Sequence, residues 1–410
     1  MRVLLSTYGS RGDVEPLGAL ALRLRELGAE VRMCVPPDKV FAELLSGIGA
    51  ELVPIGRPVR PIMHGASPPS AAELARYRAR LLAEQFDGLA AAAEGCDALV
   101  ASGLMQIAAR SVAERLNIRY VYASYQLNAL PSPHHSPPAR EGLPFPPGVT
   151  DHRALWDLDA RSIDAVFAVA LNTHRESIGL PPVSNVRDHV FTDRPWLAAD
   201  PVLGAWRETP DLDVVQTGAW TRPDVRQLPE ELVAFLAAGT PPVYVGFGSM
   251  RAPRDVARVA VEAIRARGRR ALLSHGWADL GPIDDGDDCF VVGEVNQQAL
   301  FGRVAAVVHH GGAGTTTDAA RAGAPQVVVP QMADQPYWAG RVAELGIGAA
   351  HDGPTPTVES LSTALTTALA PETRARARSA ADTIRTDGAM VAATMLLDIA
   401  GRDQQPPPSV

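Results

Sequence analysis

The sequence predicts two doubly wound α/β domains, and three observations lead there. Short apolar runs alternate with stretches of helical spacing in the first half of the chain. A proline-dense interlude breaks that alternation, which then resumes. At 410 residues the chain is also too long for one compact core. Strands separated by helices imply parallel sheets with right-handed crossovers.

Residues 3–6 are the first apolar run. Leu17, Leu20, Leu22, Leu24 and Leu27 then recur at helical spacing and leave Arg23, Arg25 and Glu26 outward. Residues 31–35 read as a second strand, stopped by Pro36-Pro37, and residues 52–55 as a third. A long helix is expected over 71–93, a strand over 98–102, a helix over 106–116 and a strand over 119–123. Residues 127–150 are proline-dense. They read as a long substrate-facing loop and not as a disordered linker, because helix resumes near Asp151 before the first domain is complete. After a Pro/Gly/Asp-rich region at 200–230, strands are expected over 243–246, 271–274, 289–292, 306–309 and 326–329, with a helix over 256–267. The expected organisation is a first domain over 1–205, a linker over 206–229, a second domain over 230–385, a helix over 386–402 and a disordered tail over 403–410.

Composition excludes several classes. The net charge is −8 and no basic cluster reverses it, which argues against a nucleic-acid surface. Three widely spaced cysteines offer no metal or redox spacing and read as reduced thiols of a cytoplasmic protein. The first apolar piece is too short for a signal peptide or a membrane span.

Residues 309–335, HHGGAGTTTDAARAGAPQVVVPQMADQ, carry the most chemistry. They read as a strand end, a glycine turn opening a helix, a second strand and a polar loop. Small residues let a diphosphate approach the backbone, and the new helix offers free N–H groups and a positive dipole end. His309 is a candidate additional donor. Asp334 and Gln335 follow the next strand, whose C-terminal end faces the same crevice. A phosphate cradle beside an acid–amide pair suits a nucleotide-activated sugar. At the other end of the chain, Gly9-Ser10-Arg11-Gly12-Asp13-Val14-Glu15-Pro16 joins the first strand to the first helix. Ser10 and Arg11 are candidate phosphate contacts. Asp13 is a candidate proton acceptor, or else a helix N-cap with Pro16 in the first turn. Gly246-Phe247-Gly248-Ser249 puts a hydroxyl at a similar turn and lacks the G-x-G-x-x-G fingerprint. Asp284-Asp285-Gly286-Asp287-Asp288 lacks EF-hand spacing and reads as a solvated turn. The pairs His134-His135 and His309-His310 lack a third ligand at sensible spacing, so no metal site is expected.

These motifs together resemble the glycopeptide-antibiotic glycosyltransferases, actinobacterial enzymes that decorate vancomycin- and teicoplanin-type aglycones. They fall within the inverting glycosyltransferase family 1. The likeness runs from Met1 to about Asp403. Besides the segments above it is carried by Thr192-Asp193-Arg194-Pro195-Trp196-Leu197-Ala198-Ala199-Asp200, Val215-Gln216-Thr217-Gly218-Ala219-Trp220, Gly276-Trp277-Ala278-Asp279-Leu280 and Val292-Gly293-Glu294-Val295-Asn296. Residues 127–157 match poorly.

The resemblance implies a GT-B fold, with two Rossmann-like domains facing a cleft. The N-terminal half would take the acceptor and the C-terminal half the donor, and the last helix, near 390–399, would pack back on the N-terminal domain. It implies Asp13 as general base. His309, Gly311, Gly312, Gly314 and Thr315 would form the diphosphate site, assisted by Ser249, Ser10 and Arg11. Val295 would present its backbone to the nucleobase, and Asp334 and Gln335 would hold sugar hydroxyls. The helix start at Gly314, with His309 and Arg11, would neutralise the leaving diphosphate without a metal, so no cofactor is expected beyond the nucleotide-sugar co-substrate. Deoxysugar-transferring relatives can lack the intact acid–amide pair. UDP-glucose or UDP-N-acetylglucosamine is therefore expected as donor, and a rigid cross-linked heptapeptide aglycone as acceptor. A cytoplasmic monomer is expected, without nucleic-acid or membrane partners. The alternatives are a TDP-deoxysugar transferase on the same acceptor class, a sugar-nucleotide 2-epimerase and a non-catalytic binder.

Overall fold

Two parallel sheets organise the chain in a computed structural model that describes residues 1–63, 70–138, 145–250, 255–278 and 280–402. The first compact unit contains Met1–Ala199, Ala205–Arg222 and Thr386–Val410. The second contains Asp200–Gly204 and Pro223–Arg385.

In the first unit the strands are β1 (Arg2–Thr7), β2 (Glu30–Val35), β3 (Glu51–Pro54), β4 (Ala98–Ser102), β5 (Arg119–Ser124), β6 (Trp196–Leu197) and β7 (Val215–Gln216). Their order is β3-β2-β1-β4-β5-β6-β7, parallel throughout. Val3, Leu4 and Leu5 are fully buried, as expected for a central strand covered on both faces. The helix Arg11–Glu26 follows and buries Val14, Leu17, Leu20 and Leu24. The helix Gly388–Arg402 packs against it. Its first residue must be glycine, since a Cβ there would lie 2.5 Å from the Gly218 carbonyl oxygen. The helix Ala71–Ala93 has the expected bounds and opens on a Ser70–Glu73 capping box.

In the second unit the strands are β8 (Val243–Gly246), β9 (Ala271–Ser274), β10 (Cys289–Val292), β11 (Ala306–His309), β12 (Gln326–Val328) and β13 (Gly348–Ala350). Their order is β10-β9-β8-β11-β12-β13, again parallel. Asp200 fastens the two ends of this unit's chain. Its carboxylate accepts from the Val202 N–H and the Arg385 N–H, each at 2.8 Å.

Both sheets reverse their winding at one place, between β1 and β4 in the first and between β8 and β11 in the second. Ligands of open α/β sheets bind outside the C-terminal strand ends at such a switch point. The loops after β1, β8 and β11 are the three segments the sequence singled out.

Part of the proline-dense loop is ordered against its neighbours. Residues Leu127–Ala129 form a single 3₁₀ turn, and Trp156 Nε1 donates to the His135 carbonyl at 2.9 Å. Residues 139–144 of that loop and the tail 403–410 lie outside the described residues. Among the described residues no helix is long and apolar enough to cross a membrane.

Candidate functional site

In the second unit, β11 ends at His309 and the chain turns through Gly311, with φ of 90°, into the helix Ala313–Arg321. A Cβ at Gly311 would lie 2.7 Å from Val328 Cγ1 and 3.2 Å from the Gln335 carbonyl oxygen. Only glycine fits, and the glycine turn is packed directly on the acid–amide segment. Thr316 and Thr317 turn their hydroxyls back onto the carbonyls of Gly312 and Ala313. Gly314 is exposed and Thr315 half-buried on the open side of the first turn. A Cβ at Gly314 would meet nothing within 4 Å, so the protein itself does not require glycine there.

The two histidines have different roles. His309 is fully buried and spends both ring nitrogens on the protein. Its Nδ1 accepts from the Gly311 N–H at 3.1 Å, so Nε2 carries the proton and donates to Gln326 Oε1 at 2.8 Å. Burial lowers its pKa to about 4. The expectation that His309 donates to a diphosphate is corrected by this geometry: the ring braces the turn from inside. His310 points the other way, as adjacent residues at a strand end do. Cβ atoms built on Gly248 and Gly312 would approach its ring at 3.1 and 2.5 Å, and its Nδ1 has no partner. Burial holds its pKa down to about 3, so the ring is neutral. From the sequence His310 is weighed only as a metal ligand and not as a diphosphate contact, although the doubled histidine and the alternation of a strand are signals for that role.

The loop after β8 meets this ring. Gly248, with φ of 58°, precedes the half-buried Ser249. The Gly248 carbonyl accepts from the Trp277 N–H at 3.0 Å, which fastens the loop after β9 to the loop after β8. Asp279 of that motif lies outside the described residues. Asp334 Oδ2 accepts from Trp338 Nε1 at 2.6 Å, and burial raises the acid to about 6. Ala333 just before it sits at φ of 55°, a strained conformation for a residue with a Cβ. Gln335 is buried, and its Oε1 accepts from the N–H groups of Gln331 at 2.7 Å and Met332 at 3.1 Å. That oxygen is committed to the loop, so the expected hold on sugar hydroxyls narrows to the amide nitrogen. Val295 follows β10 and packs half-buried on the core around Leu300 and Phe301. β10 and β11 are three strand spacings apart, roughly 14 Å, a span suited to an extended nucleoside diphosphate.

In the first unit, Ser10 is the N-cap and Asp13 the third helical residue, so the N-cap alternative for Asp13 does not hold. The Asp13 carboxylate accepts from the Ser10 N–H at 2.8 Å. A Cβ at Gly9 would lie 2.1 Å from Asp13 Oδ2, so glycine lets the loop close over the carboxylate. Arg11 is paired with Glu15 at 2.7 Å. A cavity of about 250 Å³ lies against Gly9 and Ser10, walled by Tyr8, Val59, Ile62, Leu74, Tyr77 and Met105.

Arg265 lies between Asp284 and Asp288, at 2.6 Å from each, so the acidic turn is an ion-pair seat as well as a solvated loop. The three cysteines are free thiols, and burial pushes Cys34 up to about 12. No cluster of potential metal ligands occurs among the described residues.

Known proteins resemble this chain in sequence and in fold. A family profile described as glycosyltransferase family 28 N-terminal domain matches residues 3–127. One described as erythromycin biosynthesis protein CIII-like, C-terminal domain, matches residues 282–393. Glycosyltransferase GtfE of Amycolatopsis orientalis is 59% identical over 412 residues, covering 100% of both chains. The vancomycin aglycone glucosyltransferase of that organism is 58% identical over 98% of this chain and 99% of its own. Its dTDP-epi-vancosaminyltransferase is 54% identical over 92% of each. Among solved structures, the glycotransferase of kitacinnamycin superposes with a TM-score of 0.74 at 22% identity over 99% of both chains, a likeness of fold alone.

Proposed function

The chain belongs to the glycopeptide-antibiotic glycosyltransferases of GT-B fold, and on that premise we propose which sugar it moves and how. The donor is a UDP-hexose, glucose or N-acetylglucosamine, and the acceptor a hydroxyl of a vancomycin- or teicoplanin-type heptapeptide aglycone. One observation supports the donor above others: Gly311 lies directly against Gln335, with 3.2 Å from the Gln335 carbonyl oxygen to a Cβ built there, so the acid–amide pair adjoins the phosphate turn. Asp334 then offers an acceptor oxygen and Gln335 an amide donor to neighbouring sugar hydroxyls. A deoxysugar would leave part of that pair unmatched, which costs affinity.

The helix start at Gly312–Gly314 and the neutral His310 ring take the diphosphate. As the anomeric C–O bond breaks, negative charge grows on the departing phosphate oxygen, and these donors stabilise it without a metal ion. Ser249 adds a hydroxyl, and Val295 offers backbone groups to the uracil. Asp13 removes the proton from the attacking hydroxyl as the new C–O bond forms, and a single displacement inverts the anomeric centre. The apolar and tyrosine walls beside Gly9 suit an aromatic ring of the aglycone. Catalysis of this kind is positioning plus charge stabilisation, and water must be kept from the donor.

A second reading keeps the acceptor class and uses a dTDP-deoxysugar. The 54% identity to a relative named for such a donor favours it. Mass spectrometry of vancomycin and teicoplanin aglycones, incubated with UDP-glucose, UDP-N-acetylglucosamine and dTDP-deoxyhexoses, separates the two. Faster transfer from a UDP-hexose is expected. Preference for a dTDP-deoxyhexose overturns the first reading in favour of the second. An epimerised UDP-sugar without any aglycone product overturns both.

A further inference from the structure

We propose that Tyr125 is a positioning residue that holds Asp13 for proton abstraction, an inference resting on the reading of Asp13 as the base. Tyr125 directly follows the end of β5, and its phenol donates to the backbone carbonyl of Asp13 at 3.1 Å. Pro16 lies inside the helix Arg11–Glu26 and has no N–H for the Gly12 carbonyl, next in the chain to the carbonyl that Tyr125 meets. The Asp13 N–H is bonded to the Ser10 carbonyl at 3.0 Å, and its carboxylate accepts from the Ser10 N–H at 2.8 Å. Those two bonds lie within its own loop. The Tyr125 bond crosses 112 positions of sequence and ties it to the sheet.

The brace has a rigid base. The Tyr125 ring meets Trp220 edge-on at 6.0 Å, and Trp220 meets Trp196 of β6 edge-on at 6.5 Å. Trp220 Nε1 donates to Thr217 Oγ1 at 3.0 Å, and both tryptophans are buried. Burial also pushes the Tyr125 phenol well above its ordinary range, so it stays a neutral donor. A carboxylate that must meet one acceptor hydroxyl gains from such a fixed backbone, because small misplacement of a reacting group is costly.

The test is Tyr125→Phe, which keeps the ring and removes the hydroxyl with its bonds to the Asp13 carbonyl and to Ser102. A roughly ten- to hundredfold fall in kcat is expected with donor affinity unchanged. Because Tyr125 acts through the Asp13 carboxylate, the same substitution in an Asp13→Asn background should leave the residual rate where it was. Parental kcat in Tyr125→Phe overturns the brace, and so does an equal proportional loss in both backgrounds, the pattern of a merely structural role. The two readings fail distinguishably. Full turnover by Asp13→Asn removes the base and the brace together. An inactive Asp13→Asn with a parental Tyr125→Phe removes only the brace.

Discussion

At the scale of single residues, the doubled histidine shows how little a motif says about direction. His309 and His310 are the same side chain one position apart, yet one is locked between Gly311 and Gln326 and the other has an unpartnered nitrogen beside two glycines. Their alanine variants should separate accordingly. His309→Ala orphans a buried Gln326 and should lose about 1–3 kcal/mol of stability in denaturant unfolding. His310→Ala should leave stability nearly unchanged and weaken UDP binding roughly ten- to hundredfold by calorimetry, the worth of a hydrogen bond to a charged group. The reverse pattern would reassign the ligand to His309. Asp334 gives a second residue-scale expectation. Its native pKa is raised by burial from 3.8 to about 6, so ionising it costs the fold stability as pH rises through that window. The same ionisation supplies the oxygen charge that a sugar hydroxyl meets. Donor KM should therefore climb as pH falls below about 6. Asp334→Asn should flatten that dependence and melt higher above it. A KM that ignores pH across the window would remove the carboxylate from the sugar site. The chemistry of these residues was legible from their types, but their free atoms were not. Whether Gln335 offers its oxygen or its nitrogen depends on loop N–H groups that only the fold brings near.

At the scale of elements, legibility follows length and burial. β1, β4, β8, β9 and β11 stand out as apolar runs because parallel strands covered on both faces admit no polar alternation, and β10 at the sheet edge is apolar although mostly half-buried. β6 and β7 have two residues each and β13 has three, too short to show any period. They exist because neighbouring strands offer free edges. The helices Val358–Ala368 and Pro371–Ala381 were also not anticipated, and the second has mixed polarity around its circumference. The turn between β11 and its helix has two kinds of glycine. Gly311→Ala places a Cβ against Val328 in a backbone region alanine disfavours, and should destabilise by about 1–2 kcal/mol or more. Gly314→Ala has open space and favours the helix. It should hold or raise the melting temperature while raising the Kd for UDP, because the added methyl stands where the diphosphate would approach. Equal effects on folding and binding at both positions would contradict that division.

At the scale of the molecule, the alternation of strands and helices made the doubly wound class legible, and the two sheets with their reversals account for where the motifs lie. The loops after β1, β8 and β11 attract notice in the sequence because they combine glycine with polar residues at strand ends. The topology gives the reason: those strands flank the switch points. Asp200 was legible as part of a motif but not as a clamp. Its partner is the Arg385 N–H, far along the chain, and no local pattern encodes that bond. On the proposed mechanism a helix start and His310 neutralise the leaving diphosphate without a divalent ion, and turnover should then persist in excess EDTA. Loss of activity that magnesium restores would contradict this. The proposed function is one displacement at one carbon, with Asp13 as its base and a diphosphate leaving. The most direct measurement is the anomeric configuration of the glycosylated aglycone, read by proton NMR after transfer from an α-linked UDP-glucose. A β-linked product is expected; an α-linked product would contradict a single displacement with Asp13 as its base.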